Sequence, residues 1–384
     1  MERNTNLVAL ATEVQRQFDT RKDYVAPAPA IHLDAAVPID GGTNPPKPGR
    51  ELTVRLNGDA AYGITPFAHK QIAEHVEIPA RYYERMRSEA PALLAENVNE
   101  WLRREPDTKR MLRTLDGNVR AFVSPKFHPL DNYDLLESVL PTFRDIGAVI
   151  KQAQLTETHI YIVATLASLR TDVPGSRRVG DIVEGGVIIS NSEVGDGTLY
   201  ARGYLNFLFC TNGMVRSDAN FKRYHVGKAV EADADIREIL SDEAQRADTK
   251  AIFLKLRDVT RALFDATAFR AYVKRVGDTT QDAIEAAKVE RVVDLTIKEL
   301  ALPEARKAGI LTELIKSADL SRYGLVNAIT FQTHDEADAE TAIELERAGG
   351  KLIDLPETAW KRIADGREAT KKEIQAEAVM AAGR

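Results

Sequence analysis

Cysteine is almost missing from this chain: Cys210 stands alone among 384 residues. That excludes an intramolecular disulfide and every multi-cysteine zinc or iron–sulfur site. No base can be named beside Cys210, so a buried cysteine closing a strand accounts for it better than a nucleophile. No run approaches 18 uninterrupted apolar residues, and the opening MERNTNLVALATEV lacks a basic-then-apolar leader. Neither membrane insertion nor Sec export is therefore expected, and the cytoplasm is the expected location. GxxxxGK[ST] and GxGxxG are both absent, which argues against a nucleotide-hydrolysing motor. The seven histidines are scattered, and His69 and His75, six apart, do not share a helix face as i, i+4 metal ligands would. Glu74-His75 and His334-Asp335-Glu336 have no partner at a recognisable spacing, and solvated helix faces explain both. No catalytic residue, metal ligand or cofactor is expected from these patterns.

What remains is ordinary globular material, 44% hydrophobic and 29% charged, enough for one large composite domain or two smaller ones. The net charge of -6 is unevenly placed. Residues 1–230 hold 28 charges of each sign, whereas residues 231–384 hold 24 basic and 30 acidic residues. Residues 101–130 are locally basic, with seven Lys/Arg against three Asp/Glu, and a polyanion would choose that region.

Periodicity divides the chain into three parts: 1–50, an N-terminal helix and arm; 51–230, an α+β core; and 231–384, a helical region with a tail. Leu7, Leu10, Val14 and Phe18 form one helical stripe, and six of the 16 prolines fall between Pro27 and Pro48, which predicts an extended arm. ELTVRL (51–56) is the first expected strand. Thr65-Pro66 starts a helix that Ile78-Pro79 interrupts. The resulting helix–break–helix superficially resembles a DNA-reading helix-turn-helix offering Arg81, Arg85 and Arg87, but Glu77 and Pro79 occupy a turn where glycine is common, which favours a packed αα-corner. Hairpins follow: KRMLRTL (109–115) with VRAFV (119–123) around Asp116-Gly117, AVIKQAQ (148–154) with HIYIVATL (159–166), and GVIISNS (186–192) with TLYARGYLNFLFC (198–210) around Gly195-Asp196-Gly197. Between the first two, PLDNYDLLESVLPTF reads as a helix that Asp131 can cap and Pro141 should end. The fold class expected is α+β: an antiparallel sheet of about seven hairpin strands with packed helices, followed by helices over 235–302 and a short one beyond Gly349-Gly350.

The informative constellation is on the strand 198–210. Leu199, Ala201, Gly203, Leu205, Phe207 and Phe209 point one way, and Tyr200, Arg202, Tyr204 and Asn206 the other. An aromatic–cation–aromatic–amide row without an acid suits stacking of bases and holding of phosphates. A covered outer face, with the tyrosines against a helix, is the structural alternative. Downstream, Arg216, Lys222 and Arg223 are interleaved with Phe221, Tyr224 and His225 and presented from a turn at Asn212-Gly213. Upstream, Lys109, Arg110, Arg113, Arg120 and Lys126 decorate the first hairpin. Recurring cations on several β-elements define an expected nucleic-acid surface.

RTLDGNVRAFVSPKFHPLDNYDLLESVLP, LFCTNGMVRS, YGLVNAIT and AGGKLIDLP resemble segments of an uncharacterised phage-, prophage- and plasmid-borne family that includes YfjQ-type prophage proteins. The similarity spans about residues 51–365, with His128 standing where a basic residue would be expected. The resemblance implies a mobile-element setting in a bacterial host and brings no catalytic residues. Together these readings lead to a non-catalytic protein that binds or anneals single-stranded DNA in replication or recombination. It would be a homo-oligomer of broadly Rad52-like α+β type, without a membrane partner. A module that captures a host factor through its helices, and a metal-dependent nucleic-acid-processing enzyme, are the alternatives.

Overall fold

The computed structural model describes residues 7–35, 52–56, 61–209, 212–225, 242–336, 338–370 and 373. It has an α+β fold in which two sheets are each covered by helices. The first sheet contains β1 (Lys22–Pro27), β2 (Ile31–Ala35), β3 (Leu52–Leu56), β4 (Tyr62–Ile64), β5 (Lys109–Leu115) and β6 (Asn118–Val123), in the order β1-β5-β6-β4-β3-β2. Only β4 and β6 run parallel. The second sheet is an antiparallel meander of β7 (Val149–Leu155), β8 (Ile160–Asp172), β9 (Ile182–Asn191), β10 (Leu199–Phe207) and β11 (Asn212–Arg223).

Local chemistry sets several boundaries. Thr65 accepts a hydrogen bond from the Ala68 amide and Pro66 fills the first turn of α2 (Pro66–His75), so an otherwise unsatisfied donor gains a partner. Glu77, with φ 55°, breaks the chain before α3 (Ala80–Glu89), and α4 (Pro91–Arg103) follows. Asp116 and Gly117, with φ of 50° and 75°, supply the left-handed pair that a two-residue hairpin requires. These three helices and the first sheet enclose one hydrophobic core around Leu33, Val54, Ile72, Leu94 and Phe122. A larger core joins α1 (Leu7–Thr20), α5 (Asn132–Ile146) and the second sheet to the C-terminal helices. Those are α6 (Asp242–Ala262), α7 (Ala266–Asp278), α8 (Val289–Glu299), α9 (Lys307–Ser317), α10 (Arg322–Phe331), α11 (Ala339–Ile353) and α12 (Glu357–Ala364). The first core is drawn from residues between Ala26 and Phe122, the larger one from Leu10 and Val14 together with residues from Leu130 onward, and the C-terminal helices complete the second sheet.

Several sequence expectations need correction. The proline-rich arm is strand over 22–35: β1 and β2 are the two edges of the first sheet, with Pro27 ending β1 and Pro29 in the 3-10 turn between them. Edge strands tolerate proline because one side of the strand needs no donor. Residues 36–50 lie outside the described residues, as do Cys210 and 235–241. Pro141 is inside α5, which ends instead at Gly147 with φ 74°. Leu136, Val139, Thr142 and Phe143 are buried on both sides of the proline, and this packing carries the helix through the lost hydrogen bond. Asp131 precedes α5 without accepting a capping hydrogen bond on its side chain, because two arginines occupy its carboxylate. Asn212 and Gly213 open β11 rather than forming a turn. Gly349 and Gly350 are buried inside α11. A Cβ on Gly350 would overlap the Val215 carbonyl, and one on Gly349 would lie 2.6 Å from Thr330 Cγ2, so only glycine lets this helix approach β11.

Candidate functional site

The alternation expected for β10 is present, but both faces are covered. Leu199, Ala201, Leu205 and Phe207 enter the larger core, and α11 lies across the other face. There Ala339 and Ile343 of α11 pack with Tyr161, Val163, Ile188, Tyr200, Tyr204 and Val215. Tyr204 is buried and its hydroxyl donates to Glu346 Oε1 at 3.0 Å. Asn206 lines a polar cavity of about 370 Å³ beside it. The exposed row of rings expected from the sequence is therefore corrected: α11 occupies the surface on which bases would stack.

The cations of the first hairpin divide in the same way. Arg113 is fully buried, with Nε 2.9 Å from Asp23 and Nη2 2.8 Å from Asp131, and Nη1 donates to the Glu193 carbonyl at 2.7 Å. Arg120 is buried 2.7 Å from the Glu193 carboxylate. Burial opposes the Arg113 charge, but Asp131, Asp23 and Glu193 more than offset it and hold the guanidinium protonated. Burial likewise works against the Asp131 carboxylate, yet Arg113 and Arg21 bring it down to about 2. Arg113 and Arg120 thus join the two sheets and are not available to a ligand. Arg216 is also buried, on the opposite face of β11, where Gly203 leaves room for it above the Tyr272 ring. Arg110 is half-buried over the Phe122 ring, whereas Lys109 and Lys126 are exposed.

At the end of the meander nearest the start of α11, one predicted residue, Arg202, meets a cation that no sequence pattern singled out. Arg202 of β10 and Arg347 of α11 lie over the same Tyr200 ring, at 5.2 and 4.8 Å from its centroid. The Nε atoms of both arginines are buried without a hydrogen-bond partner, and neither guanidinium pairs with a carboxylate among the described residues. Burial, then repulsion from Arg347, pushes the Arg202 pKa down. Lys222, opposite Tyr200 in the register and therefore on the same sheet face, is exposed beside the Tyr224 ring. Arg223 points to the other face and is half-buried. Three residues beyond Lys222, His225 stacks on Phe127, bringing the Lys126 loop to the same end of the sheet.

Beside this pair is a cluster that no spacing suggested. His159, just before β8, is buried and stacks on Tyr161 at 5.3 Å; Asp196 is in the β9–β10 turn and Glu340 in the first turn of α11. One donor atom from each lies within 4.8 Å of the other two. Burial lowers the His159 pKa against the pull of Asp196, favouring neutral imidazole. Burial, then Asp196, Glu344 and Asp338, raises that of Glu340. Arg347 acts electrostatically on both residues, so the guanidinium pair and the His–Asp–Glu cluster are adjacent. Asp196 reads in the sequence only as a hairpin turn and His159 only as a strand start. Arg347 lies on a helix whose register against the sheet depends on tertiary packing, so none of the three could be joined by spacing.

Neither a family model, nor a curated protein, nor a solved structure matches the chain. Among the described residues, no helix is long and apolar enough to cross a membrane.

Proposed function

We propose that the protein binds single-stranded nucleic acid, DNA in the first instance, through phosphates held at the Arg202–Arg347 cleft. The observation that carries this reading is two guanidiniums on one Tyr200 ring, neither of them in an ion pair with a carboxylate among the described residues. A half-buried cation normally has a partner, and a phosphate supplies the anionic acceptors these forks lack. Lys222 and Lys126 are exposed at the same end and extend the cationic track. With Tyr200 and Tyr204 covered, recognition is led by the backbone and tolerant of sequence, and bases stay outside. Strand annealing, self-association and the mobile-element setting suggested by the LFCTNGMVRS and RTLDGNVRAF segments belong to the same proposal, as does the absence of catalysis.

Fluorescence anisotropy with a labelled single-stranded oligonucleotide tests it. Binding is expected at low salt, with the logarithm of affinity falling by about 2 per tenfold rise in salt if three cations meet phosphates. Replacing Arg202 and Arg347 together by alanine weakens it about tenfold or more, each charge-assisted contact contributing about 1 kcal/mol or more. Lys109→Ala, on the other sheet, leaves affinity unchanged. Folded protein that does not bind at low salt, or a double variant that binds as well as the parent, overturns the reading.

A further inference from the structure

We infer that His159, Asp196 and Glu340 form a binding site for one first-row divalent metal ion of the Zn²⁺ or Mn²⁺ type. One imidazole and two carboxylates are a borderline donor set that these ions accept and that magnesium, with its preference for all-oxygen shells, does not favour. The donor atoms lie within 4.8 Å of one another. Around a bound ion, ligands at about 2.1 Å stand about 3–3.5 Å apart, so closure by about 1 Å is required. Asp196 between two glycines and the exposed Glu340 on the first turn of α11 can supply that movement.

Two further features favour an ion over a merely structural cluster. First, neither Asp196 nor Glu340 forms an ion pair with a lysine or arginine among the described residues, although the two carboxylates face each other. Second, His159 turns Nδ1 toward the carboxylates, 3.9 Å from Asp196 Oδ2, and its ring is stacked on Tyr161, so the imidazole is held in place; Thr158 Oγ1, 2.9 Å from the same nitrogen, turns aside when an ion binds. The Asp196 amide donates to Ser192 Oγ, which fixes the turn that presents its carboxylate. Exposure of Glu340 gives the ion a route from solvent.

The site requires no nucleic acid, so it is tested without any. Full-length protein stripped with chelator is titrated by calorimetry with Zn²⁺ and with Mn²⁺, and retained metal is counted after dialysis. One equivalent is expected, accompanied by a rise in melting temperature. Glu340→Gln, at an exposed position, and Asp196→Asn, at a half-buried one, should each lower affinity about tenfold or more while the apo protein melts as the parent does. His159→Gln should abolish retention. If stoichiometric uptake is absent with both ions, or survives Glu340→Gln and Asp196→Asn unchanged, the site does not exist. Loss of oligonucleotide binding in the Arg202/Arg347 variant with metal uptake intact would separate this inference from the phosphate reading.

Discussion

Asp134 illustrates what one side chain reports about its surroundings. It sits in the first turn of α5, partly buried beside Asp131, and burial followed by that neighbour's charge raises its pKa to about 6 from an ordinary 3.8. The folded protein therefore holds this proton more tightly than the unfolded chain does. Its contribution is complete below about pH 4 and is lost as the pH rises to 6 and beyond. Asp134→Asn should remove that segment of the pH profile and stabilise the protein at pH 7 by about 1 kcal/mol, after allowance for solvent screening and the lost favourable charge at the helix N-terminus. Chemical denaturation at pH 4 and pH 7 checks it: the gain should appear only at the higher pH. Identity alone could not foretell this value, because it depends on Asp131 being fixed by Arg113 and Arg21 rather than turned toward the helix as a cap.

At the scale of elements, periods and turn chemistry were readable and partnership was not. The Thr65-Pro66 helix start, the Asp116-Gly117 hairpin and the inward–outward alternation of β10 are all present, since each is determined by a few consecutive residues. β1 and β2 were hidden by prolines that edge positions tolerate, and β11 by its string of polar and basic residues. The cover over Tyr200 and Tyr204 depends on a helix more than a hundred residues further along, which reaches β11 only because two consecutive positions have no side chain. Gly350→Ala should therefore act against its helix propensity. Alanine would gain about 1 kcal/mol in an isolated helix, but overlap with the Val215 carbonyl forces α11 away from the sheet, with an expected net loss of about 2 kcal/mol or more. Thermal melting measures the loss, and tyrosine fluorescence should report new exposure of the β10 rings.

Across the whole molecule, two apolar cores meet through a polar joint. Arg113 bonds to β1, to the residue before α5 and to the segment after β9, while Gln71 bridges the Phe122 amide and the Val194 carbonyl. A joint of this kind is directional: it fixes how the sheets meet but gains little net energy over an apolar contact. Arg113→Ala should cost about 3–5 kcal/mol, because Asp23 loses its ion-pair partner and buried Asp131 keeps only Arg21. Hydrogen exchange should show α2–α4 and the first sheet losing protection separately from the larger core; a single, unshifted unfolding transition would contradict this account. The local excess of positive charge over 101–130 was visible in the sequence, yet two of its seven cations, Arg113 and Arg120, serve this joint, and composition could not tell a clamp from a landing surface.

The glycine-set helix has one more consequence. α11 acts as a shield over an aromatic β-surface made of Tyr161, Tyr200 and Tyr204. Cleavage just ahead of that helix would unmask sticky rings and discard Arg347 and Glu340 in one step, so a shortened product should clump and forfeit ligand capture together.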